Sequence, residues 1–179
     1  MKTIKTLNSR VVYENSWMTV REDHIERPSG TQGIYGVVEK PDFVVIIPIQ
    51  DTHVYLVEQY RYPVKQRYSE FPQGSLESKL DSDHKDAALR ELREETGLIA
   101  QNIRYIGKQY LAYGYSNQAY HIYLATDLEQ GSLCLDQEEE DLLTQKIPLA
   151  RFEEMILSGE IMDATTVNAY CLAKFKGCL

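Results

Sequence analysis

Apolar positions along this chain recur with two periods, and the switch between them marks out the elements. Residues 42–49, DFVVIIPI, form a nearly continuous apolar run of the kind that a strand buried on both faces requires. Asp51-Thr52 suits a hairpin turn, and VYLVEQY over 54–60 answers as the partner strand. Upstream, residues 10–26 are rich in Val, Tyr and Thr and predict one or two strands. Pro28, Ser29 and Gly30 then mark a turn, and GIYGVVE over 33–39 predicts a further strand. Downstream, residues 103–112 and 119–126 alternate as strands do, and LLTQKIPL predicts one more.

Helical spacing dominates elsewhere. From Ser82 or Asp83, either of which can cap, to Thr96, the residues Ala88, Leu89, Leu92 and Thr96 return every three or four positions. Gly97 follows, where a helix accepts a left-handed residue. A second helix is predicted from about Ala150 to Leu157, after Pro148, and a third from Asp163-Ala164 to Phe175.

On the first helix, Glu91, Glu94 and Glu95 stand at i, i+3 and i+4, which crowds three carboxylates onto one face. Such like charges repel. A solvated acidic face is the ordinary outcome, and a bound hard cation such as Mg²⁺ is the other, because it takes oxygen ligands and tolerates several carboxylates beside substrate phosphates.

Composition narrows the field. The 179 residues suit one domain with a sizeable core, and a hydrophobic content of 43% with 26% charged residues is ordinary for a globular chain. A net charge of −8 argues against a general nucleic-acid or membrane-surface binder, yet leaves open a phosphate-bearing small molecule whose charge a metal offsets. Cys134, Cys171 and Cys178 have no metal-ligand spacing and are expected to be reduced thiols in a cytoplasmic protein. The opening MKTIKTLNSR has no apolar signal core, and no segment reaches the length of a membrane span. His24, His53, His84 and His121 are scattered and form no ligand motif, and Ser116 lacks the G-x-S-x-G setting of a serine hydrolase.

The segment R-E-L-R-E-E-T-G-L resembles the second half of the Nudix box, G-x5-E-x7-R-E-U-x-E-E-x-G-U, on Arg90, Glu91, Leu92, Glu94, Glu95, Gly97 and Leu98. The first half departs from that pattern. Gly74 lies sixteen residues before Arg90 rather than fourteen, and Ser82 replaces the glutamate, with Asp81 and Asp83 flanking it. The flanks resemble the branch of the family that cleaves ADP-ribose and other nucleotide sugars. V-E-Q-Y-R-Y-P is similar to its E-Q-x-R-x-P, Glu70-Phe71-Pro72-Gln73-Gly74 to its E-[LF]-P-A-G, and the ending S-G-E-I-x-D-A-T-T also matches. Around Ala112 to Gln118 the branch has S-P-G-x-S-x-E. Gly114 and Ser116 agree, whereas Tyr113 replaces the proline and Gln118 the acid, which points away from ADP-ribose itself.

The resemblance implies an α/β protein with the Nudix α/β/α sandwich, a mixed β-sheet between helices. Residues 41–179 would form the hydrolase domain and residues 1–40 an N-terminal β extension that builds a homodimer and brings aromatics such as Trp17 and Tyr35 toward the partner's site. It implies hydrolysis of a pyrophosphate bond in a small nucleotide, with Mg²⁺ or Mn²⁺ held by Glu91, Glu94, Glu95 and the main-chain carbonyl of Gln73. Glu91 and Glu95 would thereby take part in catalysis. In the acidic run DQEEED, Glu140 is the expected general base, with Glu138 and Glu139 as rivals. Arg61 would bind phosphate, with Glu70, Tyr113 and Ser116 toward the substrate and Arg90 and Gly74 bracing the carboxylates. Two alternatives remain: a dinucleoside polyphosphate as substrate, since F-P-Q-G precedes the box and Tyr113 and Tyr115 could stack on a base, and a catalytically weak module that binds a nucleotide.

Overall fold

Ten strands and three helices account for most of the chain in the computed structural model, which describes residues 3–76, 83–132 and 141–179. The chain forms two units, Met1–Asp42 with Gln109–Tyr120, and Phe43–Lys108 with His121–Leu179.

The first unit is built on an antiparallel sheet in the order β1-β2-β3, with β1 at Lys5–Glu14, β2 at Thr19–Glu26 and β3 at Gln32–Glu39. All ten residues of β1, an edge strand, are exposed among the described residues. Trp17, expected on a strand, sits instead in the β1–β2 connection and is 54% exposed, because Asn15 turns the chain by accepting the Trp17 and Met18 N–H groups through its side chain. Segment 112–118 is fastened to β3: Val38 N–H donates to the Tyr115 carbonyl (2.8 Å), and the Tyr35 hydroxyl donates to the Gly114 carbonyl (2.7 Å).

The second unit carries a seven-stranded sheet. Its main path is β10-β5-β4-β9-β8, formed by β4 (Phe43–Gln50), β5 (His53–Arg61), β8 (Leu98–Tyr110), β9 (Ala119–Gln130) and β10 (Leu143–Pro148). Asp51 closes the β4–β5 hairpin at φ 55°, a backbone region that Asp tolerates better than most residues. The apolar run of β4 explains its place: Val44, Val45, Ile46 and Ile47 are all fully buried. Alternation sends Val44 and Ile46 to one face, where they pack with Ala87, Ala88 and Leu92 of α1 (His84–Thr96). Val45 and Ile47 point the other way, and α3 (Ala164–Phe175) packs against the same strand, giving the helix–sheet–helix layering. Between β10 and α3 comes α2 (Leu149–Ser158), whose Phe152 lies between Phe71 and Tyr170 at ring distances of 5.2 and 5.1 Å.

Local signals set the limits of α1. Asp83, not Ser82, is the N-cap, and its carboxylate accepts the Lys85 and Asp86 N–H groups. Gly97 ends the helix at φ 70°, with its N–H on the Arg93 carbonyl. Within the predicted stripe Ala88, Leu92 and Thr96 are buried, whereas Leu89 is half-buried and Ala87 takes its place in the core.

Two short strands were not anticipated. Strand β6 (Gln66–Glu70) pairs with β5, and β7 (Gln73–Ser75) pairs with β4. Gly74 is therefore a strand residue opposite Val44. Three to five mostly polar residues carry no readable period, and the pairing information lies in the apolar strands they join.

Candidate active site

The last turns of α1 bury charge. Glu91 is 6% exposed and Glu95 is 1% exposed, while Glu94 is half-buried. Removing a carboxylate from water costs several kcal/mol even after the surroundings relax. Part of that cost is offset locally. Arg90 reaches Glu91 Oε1 at 2.9 Å through Nη2 and Glu94 Oε2 at 2.6 Å through Nη1. Glu95 Oε2 accepts the backbone N–H of Gln73 at 3.0 Å, which joins the helix to β7. The Thr144 hydroxyl of β10 donates to the Glu95 main-chain carbonyl at 3.0 Å. Three acids thus lie along the end of one helix beside Arg90, and two of the three are buried. Among the described residues no set of three or more acidic, histidine or cysteine side chains converges as a metal site.

Gly74 explains how the strand and helix come so close. A Cβ built on Gly74 would lie 1.9 Å from the Glu91 carboxyl carbon, well inside contact distance. The close approach that glycine permits here is to the Glu91 side chain.

A second charged group lies at the end of the β5–β6 hairpin. The register pairs Val57 with Glu70 and Arg61 with Gln66, so Gln59 and Arg61 share a face with Glu70. Glu70 is 2% exposed and faces these two side chains. Gln59 donates to Glu70 Oε1 at 2.9 Å, Arg61 Nε donates to Oε2 at 3.2 Å, and Arg61 Nη2 also donates to Oε1. Burial pushes the Glu70 carboxyl above its ordinary pKa, against the opposing pull of the Arg61 charge and of a hydrogen bond from the Gln73 side chain; nearby Asp163 pushes in the same direction as burial. Arg61 is thus a partly exposed cation held by a buried acid.

The histidines are less scattered than their sequence positions suggest. His84 and His121 stack at 4.1 Å between ring centroids and 13° between planes, with Tyr105 and Tyr123 against them. The first turn of α1 carries His84 over β9, a contact between residues 37 positions apart that spacing cannot reveal. His84 Nδ1 and the Tyr123 hydroxyl share a hydrogen bond, and burial pushes the Tyr123 hydroxyl up to about 12.

Glu138, Glu139 and Glu140 lie outside the described residues, as does Ser82 with the expanded segment before α1. Asp141, the next described residue, is gripped by Arg67 of β6, through Nη1 to Oδ2 at 2.5 Å and Nη2 to its carbonyl at 2.7 Å. Tyr113 and Ser116 belong to the first unit. Tyr113 is 81% exposed, and the Ser116 hydroxyl oxygen accepts the Gln118 N–H at 3.2 Å. Gln59, Arg67 and Thr144 escaped sequence reasoning. Gln59 stands two residues before Arg61 and on the same strand face, a signal that was present; nothing local marks Thr144.

Glu91, Glu94 and Glu95 offer carboxylate oxygens, which fit a hard divalent cation in kind. Among the described residues no helix is long and apolar enough to cross a membrane, and Cys171 and Cys178 are free thiols.

Comparison with known proteins adds to this picture. Residues 4–38 match the nucleoside diphosphate sugar hydrolase N-terminal domain, and residues 40–164 match the NUDIX domain. The chain is 32% identical over 165 residues to an ADP-ribose pyrophosphatase of Mycobacterium tuberculosis, covering 91% of this chain and 79% of that protein. It is 29% identical over 169 residues to a methanol dehydrogenase activator of Bacillus methanolicus, covering 92% and 89% respectively. A crystal structure of an ADP compounds hydrolase superposes with a TM-score of 0.87 at 26% identity, over 100% of this chain and 98% of the other.

Proposed function

Since the chain belongs to the Nudix family of hydrolases, we propose that it cleaves the pyrophosphate bond of a nucleoside diphosphate joined to a sugar, ADP-ribose or, as Tyr113 and Gln118 suggest, another nucleotide sugar. The observation that carries this reading is the pair of buried carboxylates, Glu91 and Glu95, held against the backbone of Gln73 and Gly74. A linked diphosphate repels an attacking water, and its hydrolysis needs positive charge at the bridging and leaving oxygens. Glu91, Glu94, Glu95 and the Gln73 carbonyl would hold Mg²⁺ or Mn²⁺, which when bound screens the phosphates and acidifies a water.

The chain's own residues have separate tasks. Arg61 places its guanidinium on a phosphate, where a planar fork matches the oxygens. Glu140 takes the proton of the attacking water or orients it. Arg90 keeps Glu91 and Glu94 in register on the helix. Residues 1–40 act as an extension through which two copies associate; the wholly exposed β1 and the open cleft lined by Trp17, Met18, Lys40 and Pro41 support this.

A screen of ADP-ribose, ADP-glucose, GDP-mannose, diadenosine polyphosphates and nucleoside triphosphates with Mg²⁺, using Glu95→Gln as control, tests the reading. Turnover of a nucleotide sugar that the variant loses supports it. Turnover confined to polyphosphates keeps the chemistry and overturns the substrate. A second reading, a nucleotide-binding module acting on a partner protein, draws on the name of the Bacillus methanolicus relative; it requires nucleotide binding without turnover of any compound in the screen.

A further inference from the structure

The Arg61–Glu70 pair has a geometry that assigns a role to each edge of the guanidinium. Glu70 takes the Nε–Nη2 edge, by the bond from Nε at 3.2 Å and the bond from Nη2. Among the described residues Nη1 has no protein partner, and the Arg61 side chain is 40% exposed against 3% for Glu70. A buried acid therefore grips one edge of a planar cation and leaves the Nη1–Nη2 edge to whatever approaches from solvent. Gln59 at 2.9 Å and the Gln73 side chain fix the acid in turn. Gln73 also donates its N–H to Glu95, so one residue touches both charged groups.

We infer that Glu70 is a positioning residue, which aims the outer edge of Arg61 at a substrate phosphate and sets the distance between that phosphate and the acids of α1. The inference rests on the reading of Arg61 as the phosphate ligand. An arginine on a free stem samples many rotamers, and freezing it on binding costs affinity; one already held along an edge loses less. Glu70→Gln keeps the shape of the side chain and an accepting oxygen while removing its charge, so it separates the grip on Arg61 from the packing of the site.

The test is calorimetric titration of inorganic pyrophosphate with Mg²⁺, which needs no assumption about base or sugar, beside steady-state kinetics on ADP-ribose. The proteins are wild type, Arg61→Ala, Glu70→Gln, their double variant, and Gln59→Leu, which removes only the neutral contact. Arg61→Ala is expected to weaken pyrophosphate about tenfold, the scale of one charge-assisted bond. Glu70→Gln should weaken it severalfold, with the kinetic loss falling on KM more than on kcat and no fall in Tm. The double variant should be no worse than Arg61→Ala alone, and Gln59→Leu should show the smallest loss. An unchanged affinity in Glu70→Gln beside a weakened Arg61→Ala overturns the positioning role alone. So does an additive double variant, or a Tm that falls with the affinity, since both mark a structural part. If Arg61→Ala binds and turns over as the wild type does, the reading of Arg61 fails first, and the inference falls with it.

Discussion

Glu95 and Glu70 are both almost completely buried, and they are buried in opposite company. Glu70 meets one arginine and two amides, and its charge is matched inside the chain. Glu95 shares the end of α1 with Glu91 and Glu94, and Arg90 pairs with the latter two. A matched acid fixes the geometry of its partner. Three acids crowded on one helix face repel one another, and a bound divalent cation is one way to hold such a group together. One end of the expected substrate would thus meet a preset protein cation and the other a cluster of carboxylates.

That contrast can be broken by substitution. Glu95→Gln removes one of these charges, and turnover should fall roughly a hundredfold or more, the order seen when a group that stabilises developing charge is lost. The same change should leave Tm unchanged or higher, and a Tm that fell sharply would place Glu95 with the structural acids. Gly74→Ala should approach the same activity loss, of about ten- to a hundredfold as for groups that support metal ligands, because its Cβ displaces the Glu91 carboxylate. A circular dichroism spectrum and melt would show whether the fold survives. Arg61→Ala should raise KM about tenfold with a smaller change in kcat. Asp83→Ala should touch neither group. It removes the two cap bonds at the far end of α1, and a lowered Tm with near-normal kinetics is expected.

The parts of this molecule that were legible are those whose cause is local. The cap at Asp83, the left-handed Gly97 and the stripe through Ala88, Leu92 and Thr96 all lie within one helix, so α1 was readable to within a residue or two. The apolar run 42–49 likewise announced a central strand, and Asp163 announced the start of α3. What spacing could not carry is what the fold assembles. Glu70 meets Arg61 because β6, a polar strand of five residues, pairs back on β5. His84 meets His121 because α1 lies across β9. The acids of α1 were readable as a group; the way Arg90 divides itself between Glu91 and Glu94, and the contact of Gln73 with Glu95, were not. Glu138 to Glu140 and the altered segment before α1 fall outside the described residues.

The central claim is that Glu91, Glu94 and Glu95 at the end of α1 hold a divalent cation. Its most direct test is the melting temperature of the wild type and of a Glu91→Gln, Glu95→Gln double variant, each with and without Mg²⁺. A cation bound at about a hundred times its dissociation constant stabilises by roughly 2.7 kcal/mol, which for a chain of this size raises Tm by several degrees. The account predicts that rise in the wild type and its absence in the double variant, whose metal-free Tm equals or exceeds that of the wild type. A double variant that melts well below the wild type without metal, and a wild type indifferent to Mg²⁺, would contradict it.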